Sequence, residues 1–172
     1  MNIDDDDFTL FGVPERFALD AAQLDRRWRE LQTEVHPDRF AAQGAAAQRI
    51  AMQWSVRVNQ AYQRLKDPLK RAAYLCERRG APIDAERNTA MPRDFLMQQM
   101  AWRESLDEAR DAAALQALHD QLDRDEQALL QRLQQALDAQ GDAQAAAGQV
   151  RALMFLRRFR DDLERRLDAL DA

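Results

Sequence analysis

Leu24, Trp28, Leu31 and Val35 recur at helical spacing in one narrow stripe, with Arg26 and Arg29 on the opposite side. This pattern predicts a helix that turns the stripe to a core and leaves its arginines open to a partner. Asp20, three residues ahead of Gln23, supplies the start, because a short carboxylate accepts from the free amides of a first turn while Gln23 reaches back. Pro37 disfavours helical geometry at His36 and ends the helix, so His36, Pro37 and Asp38 open a polar loop. Gly44 and the alanines of that loop offer no large apolar anchor. The period resumes in Ala47, Ile50, Ala51, Trp54, Val58, Ala61, Tyr62 and Leu65, one broad face of a second helix. The first half is therefore expected to be two antiparallel helices joined by a polar loop.

A helix LKRAAYLCERR follows, and Gly80-Ala81-Pro82 divides the chain: Gly80 can close the helix left-handed and Pro82 blocks its resumption. Residues 1–79 are expected to form the first domain, 80–92 a linker without sustained periodicity, and 93–172 the second domain. In the second, Leu115, Leu118, Leu122, Leu129, Leu133 and Leu137 line one stripe. Leu153, Leu156, Phe159, Leu163, Leu167 and Leu170 line another, with Gly141 marking the turn between them. With a helix beginning near Arg93 they predict an antiparallel three-helix bundle, preferred to a coiled coil because no single seam runs on between the long helices. On that first bundle helix Phe95, Trp102, Leu106 and Ala109 share the core side. Leu96, Met97 and Met100 project from roughly the opposite side near Glu104 and Glu108, so an apolar face rimmed by carboxylates is left over. That face either binds a partner protein or packs on the rest of the chain, and periodicity leaves both open.

Alanine, leucine, glutamine and charged residues crowd out the β-branched types in these 172 residues, which makes the fold class all-α. The net charge of −5, with both signs interspersed, argues against a surface that neutralises nucleic-acid phosphates. No apolar run approaches the length that spans a bilayer, the N-terminus reads as neither signal nor transit peptide, and the expected compartment is the cytoplasm. The acidic run Asp4 to Asp7 is expected to be a solvated tail and not a metal site. Cys76 is the one cysteine, so an internal disulfide or a cysteine-built zinc or iron–sulfur site is excluded within one chain. Among apolar neighbours, it reads as a small buried hydrophobe. No resident cofactor or metal is expected.

Catalysis finds little support. The two histidines are His36 and His119, with no nucleophile–base pair at short range, and His119 is expected on the surface. Glu104 and Glu108 stand one turn apart on an exposed helix, where carboxylates are ordinarily solvated.

The run LDRRWRELQTEVHPDRF followed by VNQAYQRLKDPLKRAAYL resembles a J-domain, the module by which co-chaperones stimulate the ATPase of DnaK-type chaperones. The opening FTLFGVPERFALD and the later FLMQQMAWRESLDE narrow the resemblance to the HscB family of iron–sulfur cluster biogenesis, in its bacterial form without a cysteine-rich extension. The resemblance covers almost the whole chain from Phe8. It implies a chaperone-binding set of His36, Pro37 and Asp38, with Arg26, Arg27 and Arg29 as the positive surface. It also implies that Leu96, Met97, Met100, Glu104, Glu108 and Phe155 bind an IscU-like scaffold protein. Ala101 stands where the family commonly has an acidic residue, and Glu30 and Glu34 stand where general J-domains often have basic ones, which fits either a dedicated, HscA-like chaperone or ordinary surface variation. Two rival readings stay open, a J-protein for general unfolded clients and a helical adaptor in which the His-Pro-Asp tripeptide is incidental.

Overall fold

The computed structural model describes residues 1–171, which form seven α-helices and no strand. Contacts divide them into two units, the first ending at Tyr74 and the second beginning at Leu75. The division falls inside one helix, α4 (Pro68–Arg78).

In the first unit, α2 (Ala21–Val35) and α3 (Ala45–Lys66) pair along their apolar stripes. Asp20 caps α2, its Oδ1 accepting from the amides of Ala22 at 2.9 Å and Gln23 at 3.2 Å. The Gln23 side chain makes no return bond among the described residues. The Tyr62 hydroxyl donates to Asp25, Trp28 Nε1 to Asn59, and Ser55 to Gln32. Numbers rise on one helix as they fall on the other, so the pair is antiparallel. Leu24, Leu31, Val35, Val58, Ala61 and Leu65 are buried between them, and Trp28 stacks on Tyr62 with ring centres 4.8 Å apart. This register sets the end of α2 opposite the second turn of α3. Ile50, expected in the core, lines an open groove beside Val35 at the end of α2 and is 56% exposed.

Two expectations for this unit are corrected. The polar loop is a 3-10 helix, Pro37–Gln43, because proline at its first position is pre-set for a helical φ and lacks an amide that would go unpaired. The acidic N-terminus is not a solvated tail. Asp6 caps a short helix, α1 (Asp7–Phe11), by accepting from the amides of Phe8 and Thr9, and Gly12 at φ +63° ends it. Phe8, Leu10 and Phe11 are buried, Phe8 stacking on Tyr74. The Asp7 carboxylate is fully buried against Arg57 at 2.7 Å and Arg64 at 3.3 Å. Arg57 also donates to the carbonyls of Ile3 and Asp5, which binds the N-terminal segment to α3.

The second unit holds α5 (Arg93–Glu108), α6 (Ala112–Gln134), continued by one π turn over Gln135–Ala139, and α7 (Ala143–Asp171). Phe95 and Trp102 of α5 meet Phe155 and Phe159 of α7 in matching order, whereas Asp123 and Glu126 of α6 pair with Arg160 and Arg157 of α7 in reverse order. The result is an up-down-up bundle whose core takes every leucine of the α6 stripe from Leu115 to Leu137. On α7 the stripe is buried from Leu153 to Leu163, but Leu170 is 57% exposed. Leu170 lies at the end of the bundle, where it lines an open pocket with Ala109, Arg110, Asp111 and Leu115 of the α5–α6 turn. His119, expected on the surface, is partly covered between α6 and α7, with Nε2 3.1 Å from Glu164 and Nδ1 3.7 Å from Asp123.

Gly80, at φ +79°, ends α4, and the segment that follows is not helical. Arg151 of α7, itself buried, holds it by donating to the carbonyls of Ile83 at 2.9 Å and Ala90 at 3.1 Å. Ala81 and Ile83 are buried, so the non-helical segment is anchored at several points along α7's unit.

Candidate functional site

His36 is the residue at which α2 stops and the 3-10 helix begins. Its backbone is extended, φ −63° and ψ 128°, as the following proline requires. The imidazole therefore leaves the helix axis, and Nδ1 accepts from the Asp38 amide at 3.3 Å. The Asp38 carboxylate lies 3.6 Å from the same nitrogen, with 89% of its side chain exposed. His36 is thus fixed by its own neighbour, while Asp38 is presented with most of its hydrogen-bonding capacity turned to solvent. Arg39 folds back to the last turn of α2, donating to the Thr33 carbonyl at 3.1 Å, and ties the tripeptide to the helix end. Phe40 lies on the other side, half-buried. With Val35, Ala47, Ile50, Ala51 and Trp54 it lines an apolar groove of about 410 Å³. The sequence does not mark this position, because one aromatic between two helical stripes belongs to no period.

The three arginines of α2 differ. Arg26 and Arg29 are exposed and make no ion pair among the described residues. Arg27 pairs with Glu30 at 3.2 Å and more loosely with Glu34 at 3.9 Å, so part of the basic surface is neutralised within the helix. At 1.5 Å per residue, Arg29 lies about 10 Å from His36 along the axis. The tripeptide and the free arginines thus occupy one end and one side of the same hairpin.

On α5 the division of faces is clean. Phe95, Trp102 and Leu106 are buried, while Leu96, Met97 and Met100 are 50%, 68% and 71% exposed. Glu104 and Glu108 lie on the exposed side, and neither makes an ion pair among the described residues. Phe155 of α7 sits at the margin of this face: its ring meets Phe95 edge-on at 6.0 Å, and the Arg103 guanidinium lies 5.9 Å from its centre. Since Arg103 is two turns along α5 from Leu96 on the same flank, Phe155 borders the exposed apolar face at its Leu96 side. All six residues singled out in this half are therefore brought to one surface. Ala101 is exposed on the other flank, where α5 faces α6 across a groove. A protein-binding surface is what such an arrangement offers: apolar, adaptable at its methionines, and edged by unpaired negative charge.

Neither surface has the geometry of a catalytic centre. Lys66 is raised by the Tyr62 hydroxyl it donates to and by Asp25 nearby, and Cys76 is pushed up to about 11 by burial. Both are distant in sequence from the tripeptide and from the face of α5.

Residues 91–164 match the family profile described as the HSCB C-terminal oligomerisation domain. The chain is 51% identical to the co-chaperone protein HscB homolog of Burkholderia multivorans, over 99% of each. It is 49% identical to that of Bordetella pertussis, over 92% of this chain and 94% of the relative. Among solved structures, chaperone HscB from Vibrio cholerae superposes with a TM-score of 0.80 at 37% identity, covering 96% of this chain and 99% of the other. The human co-chaperone protein HscB superposes at 0.84 and 26% identity, covering 96% and 84%. These relatives span both the His36-Pro37-Asp38 hairpin and the helical bundle, and on their account the chain belongs to the HscB co-chaperone family.

Proposed function

We propose that this protein stimulates the ATPase of a dedicated, HscA-like DnaK-type chaperone and delivers an IscU-like iron–sulfur scaffold to it, promoting maturation of iron–sulfur proteins in the cytoplasm. The observation that carries this reading is the exposed His36-Pro37-Asp38 tripeptide, tied by hydrogen bonds to a hairpin end in a chain of this family. Asp38 accepts a charge-assisted bond from a cation of the chaperone's ATPase domain, and Arg26 and Arg29 meet acidic groups beside it. Arg27, already paired, contributes less. The second surface, Leu96, Met97, Met100, Glu104, Glu108 and Phe155, captures the scaffold. Covering three such side chains contributes on the order of 5 kcal/mol before the cost of association is subtracted. One chain then holds scaffold and chaperone together, which raises their effective concentration as hydrolysis closes the chaperone on its client. The protein itself makes and breaks no bond.

The test is the steady-state ATPase rate of the HscA-type chaperone with scaffold present. Wild type accelerates it, whereas His36→Gln does not, although this variant still binds scaffold. Leu96→Ser with Met97→Ser and Phe155→Ser loses scaffold binding but still stimulates the chaperone alone. Loss of both activities from either folded variant refutes two separate surfaces. Stimulation that spreads equally over unrelated unfolded clients would instead favour a general J-protein.

A further inference from the structure

The exposed face of α5 does not end at Met97. On the flank towards α6, Ala101 and Ser105 face Ala114 and Ala117, and none of these side chains is large enough to close the space between the helices. An open groove of about 650 Å³ remains, backed by Trp102 and Leu118. Its two charged lining groups are both negative. Glu108 makes no ion pair among the described residues. Asp125 accepts from Trp102 Nε1 at 2.8 Å and Gln121 Nε2 at 2.9 Å, two neutral donors, and meets no cation. No lysine or arginine lines the groove.

Asp125 lies level with Trp102 and is already engaged by two donors, whereas Glu108, six residues further along α5, is unpaired among the described residues. Alanine walls beside an unpaired carboxylate match one kind of side chain, an aliphatic stem with a cationic head. Position along α5 joins this groove to the apolar face, since Ala101 follows Met97 by one turn and Glu108 follows Glu104 by one turn. A protein that covers Met97, Met100 and Glu104 has already reached the rim.

We propose that the α5–α6 groove is a second part of the scaffold-binding surface and takes a lysine or arginine side chain of the scaffold, its stem against Ala101, Ala114 and Ala117 and its charge at Glu108. This inference rests on the scaffold reading above. It gives Ala101 a role: a longer acidic side chain there would occupy the groove, and alanine leaves it open.

The test measures affinity of the full chain for the purified scaffold protein by calorimetry at low and high salt. Ala114→Leu with Ala117→Leu fills the groove from α6 with a good helix former, and Ala101→Leu fills it from α5. Each is expected to weaken scaffold binding about tenfold, the scale of one lost side-chain anchor, with thermal stability and stimulation of the chaperone alone unchanged. Glu108→Gln weakens binding and flattens its salt dependence. Added to the filled groove, Glu108→Gln has little further effect, because both remove the same contact. Wild-type affinity in the filled variants, or full additivity with Glu108→Gln, overturns the proposal. Leu96→Ser with Met97→Ser separates the two levels of argument. If this variant loses binding and the filled variants do not, only the groove is wrong; if it too binds as wild type does, the scaffold reading falls and takes the groove with it.

Discussion

Asp7 is the residue whose surroundings differ most from its local sequence. Four consecutive aspartates at a terminus read as solvated, yet Asp7 is fully buried between two arginines that lie 50 and more positions away. Removing one member of a buried ion pair leaves the other charge uncompensated, so Asp7→Ala is expected to destabilise the protein by about 3 kcal/mol. Asp4→Ala, at an exposed position, should change stability little. Chemical denaturation of the two variants checks the contrast. Cys76 behaves as its apolar neighbours suggest: it is fully buried, and its thiol is pushed from 9.0 up to about 11. The unfolded chain thus releases this proton first as pH rises. The stabilising contribution of the neutral buried thiol is present in full below pH 9.0 and is lost progressively towards about 11. Cys76→Ala should lack this component, so the stability difference between wild type and variant should shrink or reverse between these pH values in denaturant titrations. Thiol reagents at neutral pH should modify wild type slowly until it is unfolded.

At the scale of elements, helix starts and stripes were the most legible features. The Asp20 cap of α2 and the leucine stripe of α6 follow from spacing alone, because a cap is set by adjacent residues and a stripe by the 3.6-residue turn. Asp20→Ala should cost about 1 kcal/mol in thermal or denaturant unfolding, the worth of two amides left without an acceptor at a helix start. The ends of stripes were not legible. Ile50 and Leu170 continue the patterns of α3 and α7 but are exposed, since each lies at the end of a helix pair where an open pocket remains beside it. Helix α1 is not legible either, although Asp6 ahead of it and Gly12 behind it are a cap and a stop. Five residues are too short for a period to emerge.

At the scale of the whole molecule, the proposed function depends on two surfaces being carried by one chain. A mixture of His36→Gln protein with the Leu96→Ser, Met97→Ser, Phe155→Ser variant contains one intact copy of each surface, but on different molecules. The mixture is expected not to restore the scaffold-dependent part of ATPase stimulation, because the local concentration supplied by covalent linkage is gone. Restoration to the wild-type rate would mean that the two surfaces act independently. Both sites, moreover, were legible to different depths. The tripeptide could be placed because proline ends a helix wherever it falls, and the α5 face because Leu96, Met97 and Met100 oppose Phe95 and Trp102 on any helix.

The sequence by itself determined the all-α class, the two long stripes of the bundle, the helix stop at His36 and the leftover apolar face of α5, since each follows from the covalent geometry of neighbouring residues. Only the tertiary structure decided that Phe40 and Ile50 line one apolar groove, that Asp7 is buried, and that α5 and α6 leave a negatively lined groove between them. Those features come from residues far apart in the chain meeting across a helix pair, and their meeting is set by packing distance and register, which no local pattern encodes.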